Sequence, residues 1–217
     1  MKKTWIDMEQ YARKAHFDYF RSLAYPYVGV TAEVDITDFR RLTKEKGCNF
    51  FHSFLWCAAQ AANAIPQLRQ RQVGERIAEY DFCPTSHTVA RADGTYVYCD
   101  LTADCAYRDF LPYAEAAQQK AEQSGNIHRE PGEEEAFLFI STMTWLSHTA
   151  LILPAPIPAD SNPRITWGRF FDREGKTLIP VSLQGNHALI DGRHISMFYT
   201  LLSEKLQEVV DILRAEG

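Results

Sequence analysis

A chain of 217 residues, 46% of them hydrophobic and 12% aromatic, can bury one sizeable core, which excludes a disordered segment and fits a single domain over residues 1–217. Its formal net charge of −5 excludes a generic nucleic-acid surface or an anionic membrane as partner, so any anionic ligand needs a local basic patch. Five cysteines (Cys48, Cys57, Cys83, Cys99, Cys105) without a C-x-x-C pair read as reduced thiols of a cytoplasmic protein. The amino terminus "MKKTWIDMEQ" has no apolar run behind its lysines, and no stretch reaches the ~18 apolar residues of a membrane helix. The expectation is a soluble, unprocessed chain.

In chain order, Asp7 with Gln10 has the form of a capping box and predicts an amphipathic helix through "MEQYARKAHFDYFRSL", broken at Pro26. "YVGVTAEVDI" alternates as a strand does, and "TDFRRLTKEKG" predicts a short helix with Thr37 or Asp38 as cap and Gly47 as terminator. "NFFHSFLWCAAQAANAI" is apolar nearly all round, the mark of a buried helix, ended by Pro66. "RIAEYDF" predicts a strand, and "HTVARADGTYVYCDLT" a hairpin turning at "ADG". "DFLPYAEAAQQKAEQSG" predicts a helix, "NIHREPGEEE" a loop and "AFLFISTMTWL" a strand. Residues 147–162 are apolar but carry Pro154, Pro156 and Pro158, so they are irregular or extended. "RITWGRFFD" and "KTLIPVSLQGN" flank "REG" as a second hairpin, and an amphipathic helix closes the chain. Helices and strands interleave while two connections are hairpins, which predicts an α/β two-layer sandwich, a mixed β-sheet with packed helices.

The stretch "HALIDG" (187–192) sits between that last strand and the last helix. With His187 ending a strand, Asp191 capping the helix and Gly192 easing the turn, the imidazole stands at an accessible edge. A neutral imidazole of unperturbed pKa near ~6.5 is suited to take a proton from an alcohol or thiol as general base. The same H-x-x-x-D spacing is equally that of a plain helix cap. His187, Asp191 and His194 are also residues of metal-ligand type, although no second cluster completes such a site. P-loop, dinucleotide-binding, nucleophile-elbow and H-E-x-x-H motifs are absent from the sequence.

"PVSLQGNHALIDGRHISMF", with "ARKAHFDYF", "NFFHSFLWCAAQAANAIPQLR", "ISTMTWL" and "PRITWGRF" in order nearly end to end, resembles the chloramphenicol acetyltransferases. These are homotrimers with a CoA-dependent acyltransferase type of fold that acetylate the antibiotic from acetyl-CoA and confer antibiotic resistance. The resemblance implies that His187 deprotonates the acceptor hydroxyl in a ternary complex, Ser141 donates to the oxyanion and Thr166 reaches the intermediate through water. Asp191 would pair with Arg13 to hold the histidine loop. The acceptor pocket would draw on Phe20, Pro26, Val28, Tyr96, Tyr98, His128, Leu151 and Leu153, between subunits and without a metal. Arg164 and Arg169 are candidates for coenzyme A phosphates.

The chain departs from the family at Asn186, where many members carry a second histidine, and several pocket positions differ in size or polarity. The resemblance extends to the catalytic core of dihydrolipoyl acyltransferases, which usually add a lipoyl domain and linker; neither is expected from this sequence. A third reading is a non-catalytic member of the fold that binds a hydrophobic ligand or coenzyme A.

Overall fold

The computed structural model describes residues 2–124, 132 and 134–216. Its main sheet has the strand order β2-β10-β8-β7-β5-β6, formed by β2 (Tyr27–Asp35), β5 (Thr85–Ala90), β6 (Tyr96–Leu101), β7 (Leu138–Met143), β8 (Arg164–Gly168) and β10 (Lys176–Asn186). A short β9 (Phe171–Arg173) pairs with β10 as well. The sheet is mixed as expected: β7 runs parallel to both β5 and β8, and the remaining pairs are antiparallel. The second hairpin turns through Glu174 (φ 53°) and Gly175 (φ 77°), two left-handed residues whose twist matches that of the flanking strands.

Five helices accompany the sheet among the described residues: α1 (Lys14–Arg21), α2 (Thr37–Glu45), α3 (Phe50–Asn63), α4 (Tyr107–Ser124) and α5 (Gly192–Ala215). α3 is buried almost throughout, as its apolar sequence requires, and packs against α2, α4 and α5. On β8, Ile165 and Trp167 point into this layer, with Trp167 against Phe54, while Arg164 and Thr166 point to the opposite face. That alternation leaves a polar working face on an otherwise apolar strand.

Two expectations fail locally. Residues 7–10 form a turn, in which the Asp7 carboxylate accepts the Glu9 amide at 3.0 Å, and the helix starts only at Lys14. The preceding residues instead form β1 (Lys3–Trp5), which joins β3 (Gln70–Val73) and β4 (Arg76–Tyr80) in a separate three-stranded sheet. At α2 the cap is neither Thr37 nor Asp38: the Asp35 carboxylate takes the Thr37 amide at 3.0 Å and the Thr37 hydroxyl at 2.6 Å. The buried Arg71 of β3 donates to the carbonyls of Glu135, Ala136 and Phe137, which fixes the chain just before β7.

Candidate active site

β10 delivers His187 to a turn that is saturated with hydrogen bonds. The Asn186 side chain accepts the Ala188 amide at 3.0 Å, and its carbonyl accepts the amides of Leu189 and Ile190 at 2.9 and 3.0 Å. The His187 amide donates to the Pro26 carbonyl at 2.7 Å, stitching the turn to the residue that precedes β2. Nδ1 of the ring lies 2.8 Å from the Ile190 carbonyl. A carbonyl only accepts, so Nδ1 carries the proton and the lone pair of the neutral ring is on Nε2. The half-buried ring stacks on Phe20 of α1, with centroids 3.8 Å apart and planes inclined by 19°.

The glycine packed closely against this turn is Gly185. A Cβ there would stand 2.5 Å from Cδ1 of Ile190, whereas one at Gly192 would meet nothing within 4 Å. Gly192, expected to ease the turn, is the first residue of α5 and has no left-handed φ. Asp191 caps α5, accepting the amides of Arg193 at 3.0 Å and His194 at 3.4 Å, and its other oxygen meets Arg13 at 2.5 Å. Partial burial pulls the Asp191 carboxyl upward, but the hydrogen bond and charge of Arg13, with His194 beside it, hold it well below the usual carboxylate range. His194 is thus the reciprocal member of a capping box, its Nδ1 accepting the Asp191 amide at 3.2 Å. Among the described residues no group of three or more His, Cys, Asp or Glu gathers as a metal site would need.

Ser141 lies elsewhere, on β7 opposite Thr166 of β8. Both line a cavity of about 290 Å³ together with Tyr98, Phe139, Leu153 and Arg164. Thr166 is 1% exposed, and its hydroxyl has no hydrogen-bond partner among the described residues. A buried hydroxyl in that state is satisfied by whatever fills the cavity. A second cavity of about 250 Å³ adjoins the first and takes in Val28 and Leu151, with Leu153 and Arg164 common to both. Tyr96 is 48% exposed and lines neither, and His128 lies outside the described residues.

Sheet register measures the gap between the two groups. Ser182, Thr166 and Ser141 form one row across β10, β8 and β7, and His187 lies five residues beyond Ser182. Spacings of about 4.8 Å between strands and about 3.4 Å along one put His187 about 20 Å from Ser141 within a single chain. Proton transfer needs contact near ~3 Å, so these two residues of one chain cannot meet at the same reacting atoms.

Arg164 was a candidate for phosphate contact and proves to be engaged internally. It pairs in bidentate fashion with Asp160, at 2.9 and 2.6 Å, and donates to the Asn162 carbonyl at 3.0 Å. The Tyr27 hydroxyl also donates to Asp160 at 3.0 Å; burial, then the Asp160 charge, pushes that phenol up to about 12. Nothing in the sequence reading pointed to this cluster, although Asp160 and Arg164 have an i, i+4 spacing. Arg169 is exposed.

A family model described as chloramphenicol acetyltransferase matches residues 1–203. A chloramphenicol acetyltransferase of Clostridium perfringens is 30% identical over 206 residues, 92% of this chain and 96% of its own length. One from Bacillus pumilus is 26% identical over 196 residues, 89% of each. Among solved structures, a chloramphenicol acetyltransferase superposes with a TM-score of 0.87 at 25% identity, covering 94% of this chain and all of that one. A probable dihydrolipoamide acetyltransferase from Listeria monocytogenes, at TM-score 0.62 and 16% identity over 96% of this chain and 95% of its own, shares the fold. With the described fold a mixed sheet and packed helices of the same acyltransferase type, this chain belongs to the chloramphenicol acetyltransferase family.

Proposed function

We propose that the protein transfers the acetyl group of acetyl-CoA to a hydroxyl of chloramphenicol or a similar small hydroxylated amphiphile. His187 Nε2 takes the hydroxyl proton as the oxygen attacks the thioester carbonyl. The resulting oxyanion accepts a hydrogen bond from Ser141, with Thr166 contributing through water. Collapse breaks the C–S bond, and the imidazolium returns its proton to the departing thiolate of coenzyme A. Arg13 and Asp191 position the loop without touching the reacting atoms.

The observation that carries this reading is the His187 tautomer: the Ile190 carbonyl fixes the proton on Nδ1 and leaves Nε2 as the basic atom. The 20 Å gap between His187 and Ser141 derived from the register supports a site built between subunits of a homotrimer, each chain folding as one domain over 1–217. A cytoplasmic role in antibiotic resistance follows from that activity. Free thiol released from acetyl-CoA with chloramphenicol as acceptor tests it, with an expected fall of about 10²- to 10⁴-fold in His187→Ala. Unchanged release in that variant removes the histidine from the mechanism. Faster turnover of dihydrolipoamide than of chloramphenicol transfers the assignment to the lipoyl-type acyltransferases, and tight acceptor binding without any thiol release makes the protein a binder.

A further inference from the structure

The acceptor cavity of this chain contains a feature that the acetyl-transfer chemistry itself does not use, a buried ion pair in its wall. Arg164 is 9% exposed and borders both cavities. Asp160 cannot swing away from it, because Tyr27 holds the carboxylate and Asn186 Nδ2 holds the Asp160 carbonyl at 2.9 Å. The bonds to Asp160 and Asn162 account for three of the five N–H groups that a guanidinium carries. Arg164 also has a defined place relative to the chemistry. It is two residues from Thr166 on the same face of β8, and Phe139 and Ser141 stand opposite the two of them on β7. One pleat repeat is about 7 Å.

On the reading of Ser141 and Thr166 given above, we propose that Arg164 is a specificity-determining residue: it selects alcohols that carry a neutral carbonyl-type oxygen about 7 Å from the reacting hydroxyl. A hydrocarbon group at that distance strips water from the guanidinium edge and returns no hydrogen bond. A carboxylate gains little, because Asp160 already neutralises the arginine and stands beside it as a like charge. A neutral dipole of amide, ester or nitro type takes the hydrogen bond without that repulsion.

The test is a set of three alcohols sharing one scaffold, with an amide, a methylene or a carboxylate at that position, assayed by thiol release from acetyl-CoA. The amide is expected to exceed the methylene compound by about tenfold or more in kcat/KM, and the carboxylate to fall below the amide. In the charge-neutral double variant Arg164→Met with Asp160→Asn, the amide loses its advantage through acceptor KM while the KM for acetyl-CoA stays the same. Asp160→Asn alone leaves the arginine uncompensated, and there the preference moves to the carboxylate. Equal turnover of amide and methylene compounds by the unaltered protein, a preference that survives in the double variant, or no gain for the carboxylate in Asp160→Asn overturns the proposal. Thiol release without preference removes only this role of Arg164, whereas no release from any of the three alcohols or from chloramphenicol removes the acetyl-transfer reading.

Discussion

The His187 turn and the Ser141 cavity handle their polar groups in opposite ways. Around His187 nearly every donor and acceptor turns inward: Asn186 braces the turn, Asp191 joins the helix to Arg13, and the Ile190 carbonyl takes the one ring proton. In the cavity, by contrast, the hydroxyl of Thr166 is buried and has no partner among the described residues. A base works when its orientation is fixed in advance, and a receptor works when its hydrogen bonds are still available. On the proposed mechanism His187 and Ser141 act on one reacting centre, and the distance between them then calls for a second copy of the chain.

The largest effect expected on the receptor side falls on Ser141. Ser141→Ala is expected to lower kcat by about 10²- to 10³-fold with little change in either KM, measured by thiol release. A drop in acceptor affinity instead would make Ser141 a binding residue. The comparison is sharpened by mixing: His187→Ala and Ser141→Ala chains, unfolded and refolded together, should regain about one quarter of the wild-type rate, because random assembly pairs an intact histidine with an intact serine at that fraction of interfaces. Activity no greater than that of the two variants measured separately would place both residues in one subunit's site.

Two smaller effects act on stability and treat the regions differently. His87, one of the residues around the Ser141 cavity, is buried against Phe51 of α3, and burial depresses its pKa to about 4. Its folded value lies below the unfolded ~6.5, so the unfolded chain binds the proton more readily and stability is lost as pH falls from about 6.5 towards 4, by about 3 kcal/mol in total. Denaturant midpoints at pH 7 and pH 4 should show this loss, and His87→Gln should flatten it; an unchanged slope would assign the acid lability to other groups. On the turn side, Asp191→Ala removes both the cap and the Arg13 pair and should cost about 2 kcal/mol, seen as a melting temperature about 5 °C lower. A melting curve that does not move would make the pair dispensable for the fold.

The sequence made the turn more legible than the cavity. The cap at Asp191 and the end of β10 rest on local chemistry within six residues, so "HALIDG" announces them. Ser141 and Thr166 were found by resemblance alone, since a hydroxyl residue in a strand has no local sign of what it faces. The main hairpins and long helices followed from periodicity and turn residues, while β1 and β3 escaped because short polar strands such as "KTW" and "QRQV" show no alternation. The Asp160 pair escaped for a different reason: in a proline-rich segment, an i, i+4 spacing carries no helical meaning, and only the fold brings the two side chains together. The distance from His187 to Ser141 is a property of strand register, which no single stretch encodes.

The strand that leads into His187 is zipped on one flank to β2, nine registered pairs long, and on the other to β8. Its first partner is made near the start of the chain and β10 itself near the end, so these contacts have large sequence separation and close late in folding. A nascent or partly folded chain therefore holds its imidazole in no defined place, and the proposed general base comes into being only when the two ends of the polypeptide have found each other.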